Sequence, residues 1–170
     1  MARSNILVGG SRIVVRVAEI AAGLFVLAIL AGLLGSAVEQ GRFTTLLLGP
    51  GADAGDRTTG MRLVMLLGLM MGIATLVALR ALKGIVASVG AGDPFVMANA
   101  GRLRIGWALL FLQLLEAPGL LIAGHFPSLG AAAPEPGLSL GGWLAVLMLF
   151  VLAQVFAAGT AMRDDLAGTI

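Results

Sequence analysis

The chain has 170 residues, of which 59% are hydrophobic and 12% are charged, whereas a typical globular protein is about half apolar and about a quarter charged. So few charged residues cannot cover so much apolar surface in water, which excludes a soluble globular domain. The chain has no cysteine and one histidine, His125, which excludes disulfides, thiolate metal sites and a multi-histidine metal cluster within one chain. The net charge is +2, but the basic residues are scattered singly, which argues against direct binding of nucleic acid.

Four apolar runs are long enough to cross the hydrocarbon core of a bilayer as helices, which rise 1.5 Å per residue. Each run must be helical, because lipid cannot satisfy an unpaired backbone. The first run is longer than the apolar part of a signal peptide, so we interpret it as a retained span. The sequence therefore predicts an all-α integral membrane four-helix bundle with up-down-up-down order and a single domain, residues 1–170. The predicted spans are residues 13–38, 61–88, 102–124 and 138–162.

The distribution of basic residues predicts the orientation, because cytoplasmic loops carry an excess of arginine and lysine. If the spans alternate, eight basic residues lie on one side: Arg3, Arg12, Arg16, Arg80, Lys83, Arg102, Arg104 and Arg163. Only three lie on the other side: Arg42, Arg57 and Arg62. Both termini and the loop between spans two and three are therefore expected in the cytoplasm, with the chain as a multi-pass protein of the cytoplasmic (inner) membrane. Trp107 and Trp143 lie near opposite span ends, where indole rings favour the headgroup boundary.

The loop between spans two and three, "VGAGDPFVMANAGRLRIGW", contains the most distinctive residues of the chain. Asp93 followed by Pro94 is typical of a helix start, with aspartate as the cap and proline in the first turn. We therefore predict a short interfacial helix on the cytoplasmic side. One interpretation is a connector anchored by arginines at the headgroups; the other is a docking surface for a cytoplasmic partner or an anionic lipid. The candidate residues for docking or anchoring are Asp93, Pro94, Phe95, Asn99, Arg102 and Arg104.

This loop and the C-terminal stretch "LAQVFAAGTAMRDDLAGTI" resemble the bacterial family named domain of unknown function 2975. The resemblance implies a small four-span membrane protein with no established activity. Because genes of the family often neighbour genes for small helix-turn-helix regulators, it also implies a membrane partner for a DNA-binding protein. Gly101 departs from the pattern, which has a larger residue there. The matching residues are Gly92, Pro94, Phe95, Asn99, Leu103, Arg104, Ile105 and Gly106, and then Val155, Phe156, Gly159, Arg163, Asp165, Leu166, Gly168 and Thr169.

Three polar residues lie inside the predicted spans: Gln113, Glu116 and Gln154. A charge at such depth costs at least about 2.5–3.5 kcal/mol and usually marks function. Pro118 removes one helical N–H and leaves the Leu114 carbonyl without a partner, which predicts a kink. Glu116 is either part of an ion-coupled site or a protonated group that bonds a neighbouring helix. We expect Gln113 and Glu116 to face into the bundle, with Gln154 as their nearest polar neighbour.

Small residues at intervals of four predict close helix packing, either within one chain or between copies. They are Gly68 and Gly72 in the second span and Ala153, Ala157 and Ala161 in the fourth. Near the start of the first span, Glu19 follows Arg16 by three residues and is expected to pair with it.

No nucleophile–base pair, phosphate-binding loop or metal constellation is present in the sequence, so we expect neither an enzyme nor a cofactor. We favour a regulatory or sensory membrane protein that acts through a cytoplasmic helix-turn-helix protein. The alternatives are a small transporter or ion-conducting oligomer that uses Glu116, and a structural membrane scaffold. The candidate partners are the lipid bilayer, the helix-turn-helix regulator and a second copy of the chain in a homo-oligomer.

Overall fold

A computed structural model of the chain describes residues 2–38, 42, 45–46, 49, 54–92, 96–103, 105–134 and 139–167. Within these ranges the regular structure is entirely helical, with no strand. The α-helices are α1 (Ala2–Val38), α2 (Ala54–Gly90), α3 (Met97–Arg102), α4 (Ile105–Leu114), α5 (Glu116–His125) and α6 (Leu140–Ala167), and a 3₁₀ helix covers Pro127–Ala132.

Four segments are long and apolar enough to cross a membrane: Gly9–Val38, Gly55–Gly90, Ile105–His125 and Leu140–Arg163. They confirm the four predicted spans and indicate a multi-pass membrane protein. The helices α1 and α2 have 37 residues each and extend past the predicted span ends. The up-down order and the cytoplasmic placement of both termini stay predictions.

The third span is interrupted at Leu115, between α4 and α5. The Leu115 N–H donates to the Leu112 carbonyl at 3.2 Å, three residues back instead of four. This interruption lies three residues before Pro118, which has no N–H to donate to the carbonyl four residues earlier. The helix is therefore interrupted close to the position where the sequence predicts a kink, and the interruption divides the span into two ten-residue helices. The bend itself stays a prediction.

The chain forms two compact units. The first unit comprises Met1–Ala21, Ala74–Phe111 and Ser139–Ile170, and the second comprises Ala22–Ile73 and Leu112–Leu138. The helices α1 and α2 contribute residues to both units. The single domain expected from the sequence stays a prediction.

In the second unit, α1 and α2 approach each other closely at the two predicted packing glycines. A Cβ atom at Gly68 would lie 3.6 Å from Ile29 Cδ1, an ordinary contact. At Gly72 it would lie 2.7 Å from Val26 Cγ2, which is too close for two carbon atoms. Glycine at position 72 therefore permits this helix approach.

The end of α1 is fastened to the start of α2 by Arg62, also in the second unit. Its Nε donates to the Ser36 hydroxyl at 3.2 Å, and its Nη2 donates to the Ser36 carbonyl. Ser36 is almost completely buried, so both of its oxygen atoms need hydrogen-bond donors from within the protein.

In the first unit, α4 and α6 pack closely at Gly106. A Cβ atom there would lie 3.5 Å from Leu149 Cβ and 3.6 Å from the Phe150 ring. The Trp107 ring packs edge-to-face on Phe150, with 5.2 Å between ring centroids and 80° between ring planes. The predicted alanine face of α6 is less involved, because Ala157 is exposed.

Of the other two alanines on the predicted packing face of α6, Ala153 is half-buried and Ala161 is exposed. Large apolar side chains are exposed on all four candidate spans, which fits contact with lipid, since lipid carries no hydrophobic penalty for them.

The short helix α3 lies between the second and third spans, as expected, but it begins later than predicted. Its first residue is Met97, and Val96 precedes it in an extended conformation (φ −101°, ψ 142°) without a side-chain cap. The expected capping residue Asp93, together with Pro94 and Phe95, lies outside the described residues. The preceding turn needs a glycine at Gly92, whose φ of +83° is in the left-handed region.

Candidate functional site

In the first unit, a hydrogen-bonded network fastens α3 to the end of α2. We call it the latch, and it consists of Gly84, Ser88, Asn99 and Arg102. Asn99 donates from Nδ2 to the Ser88 hydroxyl at 2.6 Å, and the same hydroxyl donates to the Ile85 carbonyl at 2.8 Å. Arg102 donates from Nη1 to the Gly84 carbonyl and to Asn99 Oδ1, both at 2.9 Å.

The positions of these residues follow from helical spacing. Gly84 and Ser88 are four residues apart and therefore lie on one face of α2. Asn99 and Arg102 are three residues apart and share the facing side of α3. One turn of α2 therefore presents two acceptors, the Gly84 carbonyl and the Ser88 hydroxyl, to the two donor side chains on one turn of α3.

Gly84 makes room for the arginine. A Cβ atom at this position would overlap the Arg102 guanidinium. Glycine inside a helix costs about 0.5–1 kcal/mol relative to alanine, so the residue weakens α2 locally while allowing the guanidinium to reach the α2 backbone.

The hydrogen bonds of the latch stabilise the fold because one of its side chains is buried. The Asn99 side chain is 0% exposed, and a buried amide without hydrogen bonds would be strongly destabilising. A hydrogen bond to a charged group contributes about 1.5–3 kcal/mol. A six-residue helix is far too short to be stable alone, so α3 depends on the latch and on its packing against α6.

A second side of α3, about 100° around the helix from the latch residues, is exposed at Ala98 and Gly101. Ala98 and Gly101 are both exposed and three residues apart, hence neighbours on one face. No heavy atom lies within 4 Å of a Cβ built on Gly101. A larger side chain can therefore be introduced there without disturbing the latch.

The candidate docking residues predicted from the sequence thus divide into two groups. Asn99 and Arg102 are brought together in the latch, while Arg104, like Asp93, lies outside the described residues. The Arg102 guanidinium is turned towards α2, where the Gly84 carbonyl accepts a hydrogen bond from it, and it also donates to Asn99 Oδ1 within α3. Its expected role as a headgroup anchor stays a prediction. Asn99 is in the interior and cannot itself form a docking surface.

Gly84 and Ser88 are site residues that the sequence reasoning missed. The signal that could have found Gly84 is a glycine within an otherwise strongly helical run, because such a residue often marks a close approach of other atoms. Ser88 gave no comparable signal, since a serine near a helix end is common.

The intramembrane polar residues are placed differently from one another. Gln113 and Glu116 are half-buried, whereas Gln154 is exposed. Glu116 is in the first turn of α5, directly after the interruption at Leu115. The exposure of Gln154 gives no support to its expected proximity to the other two residues, which stays a prediction.

Glu19 links α1 to α2 rather than pairing within α1. Its Oε2 accepts a hydrogen bond from Lys83 Nζ at 2.7 Å, and its Oε1 lies 3.8 Å from Arg80 Nε. The expected ion pair with Arg16 is not formed, because the lysine from the neighbouring helix holds the carboxylate. Among the described residues, no group of three or more histidine, aspartate or glutamate side chains could hold a metal ion.

Comparison with known protein families identifies one match. Residues 44–170 match the family described as protein of unknown function, DUF2975. The chain belongs to DUF2975. The matched part of this DUF2975 member contains α2 to α6 and the whole latch, and it begins after α1. No curated protein and no solved structure matches the chain.

Proposed function

We propose that this DUF2975 member is a regulatory or sensory protein of the bacterial inner membrane that binds a cytoplasmic helix-turn-helix protein through α3. The observation that carries the proposal is the latch. A connector between two spans needs no buried asparagine and no arginine directed into a neighbouring helix. These interactions hold α3 in one position, and a fixed helix that is exposed at Ala98 and Gly101 is suited to protein contact.

The charge distribution supports a cytoplasmic position for α3. The eight basic residues expected on the cytoplasmic side all belong to the first unit, and the three expected outside all belong to the second. Since α3 also belongs to the first unit, the positive-inside rule assigns it to the cytoplasm.

The test is co-purification of the tagged full chain with the helix-turn-helix regulator taken from the same gene neighbourhood. Gly101→Glu adds a charged side chain to the exposed face of α3 and is expected to abolish co-purification. The matched control is Gly55→Glu, which changes another exposed helical glycine that has open space around it. Undiminished binding by Gly101→Glu, or equal loss in both variants, would contradict docking on α3.

A second candidate function is a small transporter or ion-conducting oligomer that uses Glu116. One observation favours it: the interruption at Leu115 leaves a half-buried carboxyl group in the first turn of a half-helix, an arrangement that occurs in transporters. Proteoliposome flux that is present in the wild type and lost in Glu116→Gln would support this candidate. A chain that shows neither flux nor regulator binding would fit a structural scaffold.

A further inference from the structure

A cavity of about 330 Å³ lies in the first unit between α1 and α2. It is lined by Arg12, Val15 and Arg16 from α1 and by Lys83, Val86 and Ala87 from α2. Its volume falls within the range of about 300–1,000 Å³ that is usual for small-molecule sites. None of these residues belongs to the latch.

The cavity is strongly basic. Arg12 and Arg16 are four residues apart and therefore lie side by side on α1. Among the described residues, neither arginine forms a hydrogen bond or ion pair, so their guanidinium donors are available to a ligand. Lys83 has three N–H donors, one of which is used by Glu19.

This arrangement favours an oxyanion. Two guanidinium groups without hydrogen bonds and one partly used ammonium group line the cavity, and guanidinium groups bind phosphate with two parallel hydrogen bonds. The neighbouring Glu19 carboxylate, which binds Lys83 and attracts Arg16, offsets one of these three positive charges and leaves the cluster positive. The wall of the cavity is apolar at Val15, which is only 5% exposed. The site therefore combines exposed donors for an anion with an apolar floor.

The surroundings indicate that the anion has an apolar part. Arg12 and Arg16 are inside the candidate span Gly9–Val38, near its beginning. Further into this span, Val17 and Ile20 are 60% and 63% exposed. An anionic group in the cavity would thus be followed along α1 by apolar surface that an acyl chain can cover.

We propose that this cavity binds the phosphate group of an anionic phospholipid. The three cations hold the headgroup phosphate, and the acyl chains lie along the exposed apolar residues of α1. Free inorganic phosphate shares the headgroup chemistry but has no apolar part to contact Val17 and Ile20. The proposal does not depend on the regulatory role of α3.

The experiment is native mass spectrometry of the full chain in detergent, titrated with phosphatidylglycerol or phosphatidylcholine carrying the same acyl chains. We expect tight retention of phosphatidylglycerol and weak retention of phosphatidylcholine, whose own ammonium group cancels the phosphate charge. The double variant Arg12→Gln with Arg16→Gln is expected to bind phosphatidylglycerol roughly thirty-fold more weakly, about five-fold for each arginine. Arg80→Gln is the matched control. The Arg80 side chain is 70% exposed and lies near the Glu19 carboxylate, as Lys83 does, but it is outside the cavity.

Equal retention of the two lipids by the wild type would overturn the proposal, and this comparison decides the matter even if the double variant does not fold. An equal loss in Arg80→Gln would also overturn it, because the effect would then come from net charge alone. Displacement of phosphatidylglycerol by excess inorganic phosphate would assign the site to free phosphate and overturn the proposal of a lipid ligand.

Discussion

The substitution Gly84→Ala tests the latch without removing any of its polar groups. The added methyl group occupies the space of the Arg102 guanidinium, so the arginine must leave the Gly84 carbonyl. Alanine also has a higher helix propensity than glycine. The substitution should therefore strengthen α2 locally and loosen α3 at the same time.

The magnitude follows from the bond that is lost. A hydrogen bond from a charged donor contributes about 1.5–3 kcal/mol, and we take the lower end because Arg102 is only half-buried. A loss of about 1.5 kcal/mol corresponds to a roughly ten-fold increase in the population of undocked α3. The gain in helix propensity at position 84, about 0.5–1 kcal/mol, acts on α2 instead.

Hydrogen exchange measured by mass spectrometry separates the two effects. The amide of Leu103 donates to the Asn99 carbonyl at 2.9 Å, so its exchange reports opening of α3. We expect exchange there to be roughly ten-fold faster in Gly84→Ala, and unchanged in the control Gly23→Ala, which has no atom near the new methyl group. The double variant Gly84→Ala with Arg102→Ala should open no more than Arg102→Ala alone. Unchanged exchange in both Gly84→Ala and Arg102→Ala would refute the latch.

Three further outcomes are expected. Gly72→Ala should destabilise the protein by about 1–3 kcal/mol in detergent unfolding, because its methyl group collides with Val26. Gly68→Ala, whose methyl group makes only an ordinary contact, should instead stabilise it by about 0.5–1 kcal/mol through helix propensity. If both variants unfold alike, α1 and α2 do not approach as described. Arg62→Ala should destabilise by about 1–3 kcal/mol in the same assay, because it leaves buried oxygen atoms at the end of α1 unpaired; wild-type stability would mean that water reaches them. Glu116→Gln should leave co-purification of the regulator unchanged, and loss of co-purification would connect the intramembrane carboxyl to regulation.

The helical architecture could be predicted from the sequence because lipid restricts the choice of structure. An apolar run of about 20 residues has no alternative to a helix in a bilayer, and Pro118 cannot supply the N–H of a regular turn. The four spans and the interruption of the third were therefore predictable. Helix ends in contact with water were less predictable: α3 begins at Met97, whereas the sequence pattern indicated Pro94.

The candidate site was only half predictable, for a different physical reason. The sequence indicated that Asn99 and Arg102 matter, but their direction depends on which face of α3 meets α2. Arginine next to a span has two favourable environments, the phosphate headgroups and an unpaired acceptor in the protein. Local sequence does not distinguish them, and the deciding feature, the open space at Gly84, is in another helix.

The same reasoning applies to Glu19. Its neighbour in sequence, Arg16, offered a pair within one helix, which contributes little when exposed. Lys83, 64 positions later, reaches the carboxylate at 2.7 Å because α1 and α2 run side by side in the first unit. Contacts between distant positions of this kind require the tertiary structure.

The most direct test of regulator docking on α3 uses the absence of cysteine from the chain. A single Gly101→Cys substitution places a thiol on the exposed face of α3, and its reaction with a membrane-impermeant maleimide can be followed in inside-out vesicles. Docking of the regulator on a cytoplasmic α3 predicts rapid labelling that slows when the purified helix-turn-helix regulator is added, while Gly55→Cys is labelled only from the opposite side of the membrane. Labelling of Gly101→Cys from the outside, or labelling that the regulator leaves unchanged, would contradict it.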